Sequence, residues 1–186
     1  MHRPAADAYR LPEAFSTDRF LVRRVRAADA EAIFAGWCRD PDVTRYLTWR
    51  PHADVSQARD LVRRADQEWR GGTSFPAVIS PRTSPHSLIG MVHPRLSGTR
   101  VSYGWLVRRD HWGQGVASEV VRWVVENALA HPAIFRAEAT CDVENGASAR
   151  VMEKAGMTRE GVLRRYTLHP NLSAEPRDSF LYARVR

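Results

Sequence analysis

Two glycines, Gly113 and Gly115, stand where this sequence changes from a strand pattern to a helix pattern. Residues 101–107 alternate apolar and other side chains with the two-residue period of a strand, whereas from residue 117 the apolar residues recur at helical spacing. Glycine lets the backbone turn tightly, and the first amides of a helix have no internal partners and carry the positive end of its dipole. The junction within 101–130 therefore predicts an anion site, most often one for phosphate.

The remaining patterns predict the elements that hold this junction. Alternation and helical spacing give the order β-α-α-β-β-β-α-β-α-β-β, in which a meander of antiparallel strands runs into one βαβ crossover. This order favours an α+β fold with helix, sheet and helix layers, and a mixed, mostly antiparallel sheet of about seven strands with about four helices. We expect one domain over residues 15–186, preceded by a poorly ordered lead-in, residues 1–14.

Composition restricts the functional classes. The 186 residues carry a net charge of +7, but arginines are scattered along the whole chain and Lys154 is the one lysine, so nucleic-acid binding is not favoured as the main role. An apolar run long enough for a membrane span and a secretory h-region are both missing from the sequence, which indicates a cytoplasmic protein. Cys38 and Cys141 are too few for a disulfide framework or a zinc site, so we expect no metal.

Nucleotide-binding glycine loops fit the junction poorly. A P-loop requires a lysine after its second glycine, and no lysine is present there. A dinucleotide site requires a third glycine where Ser118 stands, and five residues separate Val107 from Gly113. Glu138 lies at a suitable distance for a ribose-binding acid, but the antiparallel meander argues against repeated βαβ units.

Three motifs in order resemble the GCN5-related N-acetyltransferases, the GNAT superfamily. Residues 112–117, WGQGVA, are similar to the coenzyme A signature Gln/Arg-x-x-Gly-x-Gly/Ala except at the first position. Residues 145–157, NGASARVMEKAGM, resemble the N-x-x-S-x-R-x-x-E-K-x-G-M/F pattern of the Rim-type branch, the ribosomal-protein N-terminal acetyltransferases, and 160–164 with 177–183 resemble its closing strands. The resemblance covers roughly residues 15–186 and implies acetyl-CoA as cosubstrate.

The resemblance also implies a cofactor site. The backbone of Trp105, Leu106 and Val107 would pair with the pantetheine arm, and the amide of Leu106 would polarise the thioester carbonyl. Asn145 would bond the pantetheine, although it could equally cap its own helix. The amides expected to hold the pyrophosphate are those of Gly113, Gln114, Gly115, Val116, Ala117 and Ser118.

The catalytic side chains are less determined. Ser148 would donate a proton to the leaving sulfur, or it is a first-turn serine of its helix. Met152 occupies the slot where many relatives carry a tyrosine acid, so that donor is missing. Cys141 falls on the apolar side of its strand, which favours direct transfer in a ternary complex over an acyl-cysteine intermediate.

The acceptor half of the site is the weakest part of the prediction. Loss of the ammonium proton needs a base, and Glu138 or Asp142 acting through water, or His93 or His169, are the candidates, each also consistent with an ordinary structural role. The aromatic residues expected to line the acceptor pocket, although such spacings are also typical of a core, are Trp37, Tyr46, Trp49 and Tyr103.

The sequence thus predicts an acetyl-CoA-dependent N-acetyltransferase that acts on a primary amine. The amine is either a protein N-terminus, which the Rim-type resemblance implies to be that of a ribosomal or another protein, or a small molecule, since a fold does not determine its substrate. The alternatives are an acetyl-CoA-binding sensor without catalysis and a basic module that binds RNA or the ribosome. The protein is expected to be a monomer or homodimer without a membrane partner.

Overall fold

A computed structural model describes residues 9–186 as one eight-stranded sheet with helices packed on both faces. The strands are longer in the second half of the chain, where β7 and β8 form a closing hairpin. Their bounds are β1 Ala14–Ser16, β2 Phe20–Arg24, β3 Ala77–Pro81, β4 Gly90–Ser97, β5 Arg100–Val107, β6 Arg136–Asp142, β7 Thr158–Thr167 and β8 Arg177–Val185.

Five α-helices connect these strands, and their ends follow from local sequence signals. Asp54 caps α3 and forms a capping box with Gln57, and Gly72 ends the helix in the left-handed conformation. Short 3-10 and π-helical turns, Ala27–Asp29 and Phe34–Cys38, flank α1. The bounds are α1 Ala30–Ile33, α2 Pro41–Thr44, α3 Val55–Gly71, α4 Val116–Ala130 and α5 Gly146–Lys154.

The sheet order β1-β2-β3-β4-β5-β6-β8-β7 contains one parallel pairing among the described strands, that of β5 with β6. This pairing joins only Arg100–Ser102 to Arg136–Glu138. Beyond it β5 continues to Val107 and β6 continues to Asp142, but the two strands no longer pair. The sheet is therefore split between β5 and β6, and the split opens toward the carboxyl ends of both strands.

Apolar side chains are buried on both sides of the sheet. On one face, Val120 and Val124 of α4 pack with Val101 of β5 and Ala137 of β6. On the other face, α1 and α3 cover the strands around Val78. Because α4 lies across β5 and β6, it spans the split on its own side, while the opposite side of the split stays open.

The predicted fold class is confirmed, with differences at the level of elements. Tyr9 and Leu11 are buried in the core, which corrects the expected domain boundary at residue 15; residues 1–8 of the predicted lead-in lie outside the described residues. The strand β1 is additional, and the expected loop after Asp40 contains the one-turn helix α2. No helix between residues 9 and 186 is long and apolar enough to cross a membrane.

Candidate active site

The split places free backbone groups of β5 opposite β6. The amide of Arg108 donates to Ile89 on the β4 side, and the amide of Phe135 donates to Thr99 from the β6 side, both at 2.8 Å. Because successive residues of a strand direct their backbone groups to opposite edges, the amides of Trp105 and Val107 face the split. An extended ligand lying there can therefore pair with β5 as an added strand does.

The same alternation corrects one predicted role. Leu106 lies opposite Met91 in an unbroken register with β4, so its amide is directed to β4 and away from the split. The backbone donors nearest to its predicted oxyanion position are those of Trp105 and Val107. Sequence spacing alone cannot tell which edge of β5 each amide faces.

Gly90 sets how closely β4 approaches β5 at this point. A β-carbon added to Gly90 would lie 2.5 Å from the carbonyl oxygen of Leu106 and 3.3 Å from the α-carbon of Val107. Such a separation is far below a normal contact, so only glycine fits without displacing β5. Gly90 thus supports the site from behind, a role that the sequence analysis did not assign.

Trp112 closes the end of β5. Its indole N–H donates to the carbonyl of Val107 at 2.7 Å, although the side chain is half exposed. The carbonyl oxygen of Val107, which faces the split, is therefore already hydrogen-bonded. The aromatic residue at the first position of the glycine motif therefore has a structural function that its spacing alone did not indicate.

The glycine turn leads directly into α4. Gly113 has φ +74° and Gly115 has φ +78°, a region that residues with a β-carbon rarely adopt. Gly115 is the N-cap of α4, and no side chain of residues 9–186 caps this helix end. The first amides of this 15-residue helix and its dipole are thus free of side-chain partners there, which is compatible with the predicted anion site.

Arginines fix this turn but are themselves ion-paired. Arg19 binds Glu119 of α4 and donates to the carbonyl of Gln114 at 3.0 Å, which ties the turn to the β1–β2 connection. Arg108 forms two hydrogen bonds to Asp110, and the guanidinium holds the pKa of that carboxyl well below its usual range. Attraction for phosphate therefore depends mainly on the backbone amides and the helix dipole.

The first turn of α5 lies across the split from β5. The side-chain oxygen of Asn145 accepts the amide of Ser148 at 3.1 Å, so Asn145 caps the helix, while its amide N–H groups donate to no partner among residues 9–186. The Ser148 side chain is partly exposed. Met152, in the predicted tyrosine slot, is fully buried and faces the core. A pantetheine contact by Asn145 is thus compatible with its capping function.

A cavity of about 310 Å³ lies on the sheet face opposite α4, over the paired end of β5 and β6 and the start of the split. Polar groups of β5 and β6 form its floor, and Tyr166 of β7 forms an exposed wall. The lining residues are Arg95, Ser97, Arg100, Ser102, Tyr103, Glu138, Ala139, Thr140, Tyr166 and Leu181. The cavity can admit a polar acceptor from the side that α4 does not cover.

Two of the four predicted acceptor-lining aromatic residues belong to the core. Trp37 is fully buried between α1 and α3, and the hydroxyl of Tyr103 donates to the carbonyl of Val124 on the α4 side, although Tyr103 also borders the cavity. Tyr46 is partly exposed and bonds the carbonyl of Glu144 near the open end of the split. Trp49 is also partly exposed and packs against His52 with tilted rings, 4.8 Å between ring centroids.

The predicted carboxylate bases are both occupied by arginine. Glu138 accepts a 2.6 Å hydrogen bond from Arg136. Burial raises the pKa of Asp142, but the hydrogen bonds from Arg177 and from the Glu144 amide, together with the charge of Arg177, outweigh burial, so the net pKa lies below its ordinary value. Asp142 therefore holds its negative charge and has weak affinity for a proton.

Neither His93 nor Cys141 suits a covalent or acid–base role. Burial, together with the charge of Arg95, lowers the pKa of His93 to about 4, and its Nε2 lies 2.9 Å from Glu68. Burial raises the pKa of the Cys141 thiol to about 12. A thiol in this state forms little thiolate at neutral pH, in keeping with its predicted place in the core.

Comparisons with known proteins decide the family. The model of the acetyltransferase (GNAT) domain matches residues 19–158. The chain belongs to the GNAT acetyltransferase family. It is 30% identical over 172 residues to the uncharacterized N-acetyltransferase YoaA of Bacillus subtilis, covering 91% of this chain and 95% of that protein. It is 29% identical over 156 residues to the uncharacterized N-acetyltransferase p20 of Bacillus licheniformis, covering 83% and 87%.

Solved structures of GNAT proteins share the fold. A GNAT acetyltransferase from Bacillus anthracis has a TM-score of 0.78 at 26% identity and covers 92% of this chain and 98% of its own. RimL, a ribosomal L7/L12 alpha-N-protein acetyltransferase solved with coenzyme A, has a TM-score of 0.82 at 18% identity, covering 93% and 98%. MccE, solved with acetyl-CoA and AMP, has a TM-score of 0.84 at 16% identity, covering 95% and 98%.

These matches confirm the predicted family, the fold class and the enzymatic assignment as an N-acetyltransferase. Acetyl-CoA is the cosubstrate that fits this GNAT protein, and the split sheet with its glycine turn agrees in chemistry with a thioester carried on a diphosphate-containing arm. The matches leave the acceptor amine open.

Proposed function

We propose that this GNAT protein transfers the acetyl group of acetyl-CoA directly to a primary amine, in a ternary complex whose two substrates meet in the split between β5 and β6. The observation that carries the proposal is the end of β5–β6 pairing at Ser102 and Glu138, which leaves the amides of Trp105 and Val107 without a neighbouring strand. These donors lie between the glycine turn on one side and the polar cavity on the other.

Each part of the site has a function in this reaction. The turn of Gly113 and Gly115 with the start of α4 binds the pyrophosphate, and β5 positions the pantetheine arm. The amide of Trp105 or Val107 stabilises the oxyanion that forms when the amine attacks the thioester carbonyl. Ser148, in the first turn of α5, donates a proton to the leaving sulfur, because the usual tyrosine position is the buried Met152.

The acceptor is a polar primary amine that enters from the face opposite α4. The cavity there carries the guanidinium groups of Arg95 and Arg100, and its one carboxylate, Glu138, is already paired with Arg136. An acceptor with a carbonyl or carboxylate near its amine matches this lining. Peptide N-termini have such a group, and their extended chain suits a trough with an exposed wall, so they are the first acceptor class to test.

The experiment measures coenzyme A thiol release by the wild type with acetyl-CoA and three acceptor sets: peptides with small N-terminal residues, free amino acids, and polyamines that lack a carbonyl. We expect turnover with peptides or amino acids, and product mass increased by one acetyl group. The Ser148→Ala variant should retain acetyl-CoA binding and lose about 10- to 100-fold in kcat, the size of a general acid contribution at its lower end.

Three results would contradict the proposal. Polyamines as the sole acceptors would show that the cavity does not select for a carbonyl or carboxylate. Acetyl-CoA binding, seen as thermal stabilisation, without transfer to any amine would favour the sensor alternative, whereas no stabilisation by acetyl-CoA would remove the cofactor site itself.

A further inference from the structure

His169 is a buried side chain without a hydrogen-bond partner beside the open end of the split. It lies in the connection between β7 and β8 and is 5% exposed. Both ring nitrogens are buried and have no partner among residues 9–186. A buried polar atom without a partner destabilises the folded state, so a reason other than stability is needed for this histidine.

The surroundings of His169 place it at the corner where β6 ends. Its Nε2 lies 3.9 Å from a carboxylate oxygen of the fully buried Asp142, the last residue of β6. Two hydrogen bonds, from the amides of Glu144 and Asn145, hold the turn from Asp142 into α5. This short turn keeps His169 close to the first turn of α5, which contains Ser148.

The loop that carries His169 is fixed by several contacts. Asn171 donates to the carbonyls of Thr44 and Trp49, at 2.7 and 2.8 Å, and so attaches the loop to the α2 segment. The His169 carbonyl accepts two amides of its own loop. The ring meets Tyr46 edge-on, 6.4 Å between centroids. The imidazole is therefore held in place by its backbone and by packing, with its nitrogens left free.

Charged groups face this imidazole from each packed element. Asp142 of β6 and Arg177 of β8 neutralise each other through a 2.6 Å hydrogen bond, Arg177 also binds Glu144 after β6, and the α2 segment contributes the neutral Tyr46. Asp142 remains ionised through these bonds. A carboxylate 3.9 Å from the ring can stabilise a positive charge that forms on it.

The other candidate bases are less suitable. Glu138 is bonded to Arg136 and Asp142 to Arg177, so neither carboxylate is free to accept a proton. His93 is enclosed by Glu68, Ser74 and Arg95, all within hydrogen-bond distance. His169 is the one of these four groups whose basic atoms have no partner in the described chain.

We propose that His169 receives the proton that the acceptor ammonium loses before attack, and that Asp142 stabilises the imidazolium. This inference rests on the proposed function. One N–H bond of the ammonium breaks and one forms on the imidazole, which frees the nitrogen lone pair. The amine then forms the N–C bond and the C–S bond breaks. Ser148 gives its hydroxyl proton to the leaving thiolate and takes up the second nitrogen proton, which restores its hydroxyl. His169 releases its proton to water after the products have left the open end of the split.

The test compares the wild type with His169→Gln and with Asn171→Ala, which loosens the same loop but retains the imidazole. The probes are β-alanine, or a peptide that begins with it, and the matching aminooxyacetyl analogue, in which oxygen replaces the carbon next to nitrogen and leaves the amine unprotonated at neutral pH. We expect His169→Gln to lower kcat at least about 100-fold with the β-alanine acceptor, the usual size of a general base contribution, and only a few-fold with the analogue. Added imidazole should restore part of the rate of His169→Ala.

Asn171→Ala should change both acceptors equally and should not respond to imidazole. If His169→Gln lowers both rates equally, or if Asn171→Ala reproduces the selective loss, His169 acts only in loop structure and the inference is wrong. If the wild type acetylates no amine while it binds acetyl-CoA, the proposed function has failed, a result distinct from an active wild type that tolerates His169→Gln.

Discussion

Replacing Gly113 with alanine tests whether the glycine turn binds phosphate through its backbone. Gly113 has φ +74°, and a β-carbon there would meet no other atom within 4 Å. The substitution thus introduces backbone strain without a steric clash. The left-handed conformation costs an alanine roughly 1–2 kcal/mol. For a protein of this length 1 kcal/mol lowers Tm by about 2–4 °C, so we expect a loss of about 2–8 °C.

Gly98 provides a matched control. It also has a positive φ, +61°, and open space around its missing β-carbon, but it lies in the β4–β5 hairpin at the closed end of the split. Gly98→Ala should therefore lose the same stability through the same strain. Relaxation of that strain at residue 113 rotates the neighbouring amides away from the pyrophosphate, whereas relaxation at residue 98 leaves them in place.

The assay is calorimetric titration of each variant with coenzyme A. A hydrogen bond to a charged group contributes about 1.5–3 kcal/mol, so the loss of one such bond should raise the Kd of Gly113→Ala about 10- to 100-fold. Gly98→Ala should bind as the wild type does. Equal binding by the two variants, at equal loss of stability, would show that the turn is structural and would refute the assignment of the phosphate site.

Two further predictions concern the sheet behind the site. Gly90→Ala should lower both thermal stability and affinity for coenzyme A, because its β-carbon would displace β5 at the Leu106 carbonyl; unchanged coenzyme A titration in a destabilised variant would contradict this support role. The pKa of His93 is about 4 in the folded protein, so between pH 4 and 6.5 the unfolded chain binds more protons than the folded chain does. The contribution of His93 to stability is therefore fully present above pH 6.5 and decreases as the pH falls to 4. The free energy of unfolding, measured with urea, should fall more between pH 6.5 and 4 in the wild type than in His93→Gln, by up to about 3 kcal/mol. Parallel pH profiles of the two proteins would show that the pKa of His93 is not lowered by folding.

Local patterns were sufficient for most of the fold. The change from a two-residue to a helical period around Gly113 correctly located β5 and α4, because both elements bury one continuous face. The three residues of β1 are too few to display a period, and Tyr9 and Leu11 become core only through contacts distant in sequence. Asp40 followed by Pro41 is a helix-start signal, but the proline-rich surroundings favoured a loop.

The candidate site could be predicted from the sequence only in part, for a related reason. The position of the cofactor segment depends on the order of motifs, which the sequence contains. The direction of the Leu106 amide depends on pairing with β4, and the state of Glu138 and Asp142 depends on arginines from neighbouring elements or strands. Such properties arise from pairing between segments, so periodicity within one segment carries no information about them.

The short pairing of β5 with β6 has a consequence for the mechanics of turnover. Within the sheet, three residue pairs join the two parts β1–β5 and β6–β8, and α4 lies across both. In the proposed reaction, a substrate arm paired with β5 would serve as a temporary ninth strand between the two parts, and release of the product would remove it. The sheet would then be more rigid with substrate bound than after product release, and β1–β5 and β6–β8 would move relative to each other about the last paired residues, Ser102 and Glu138.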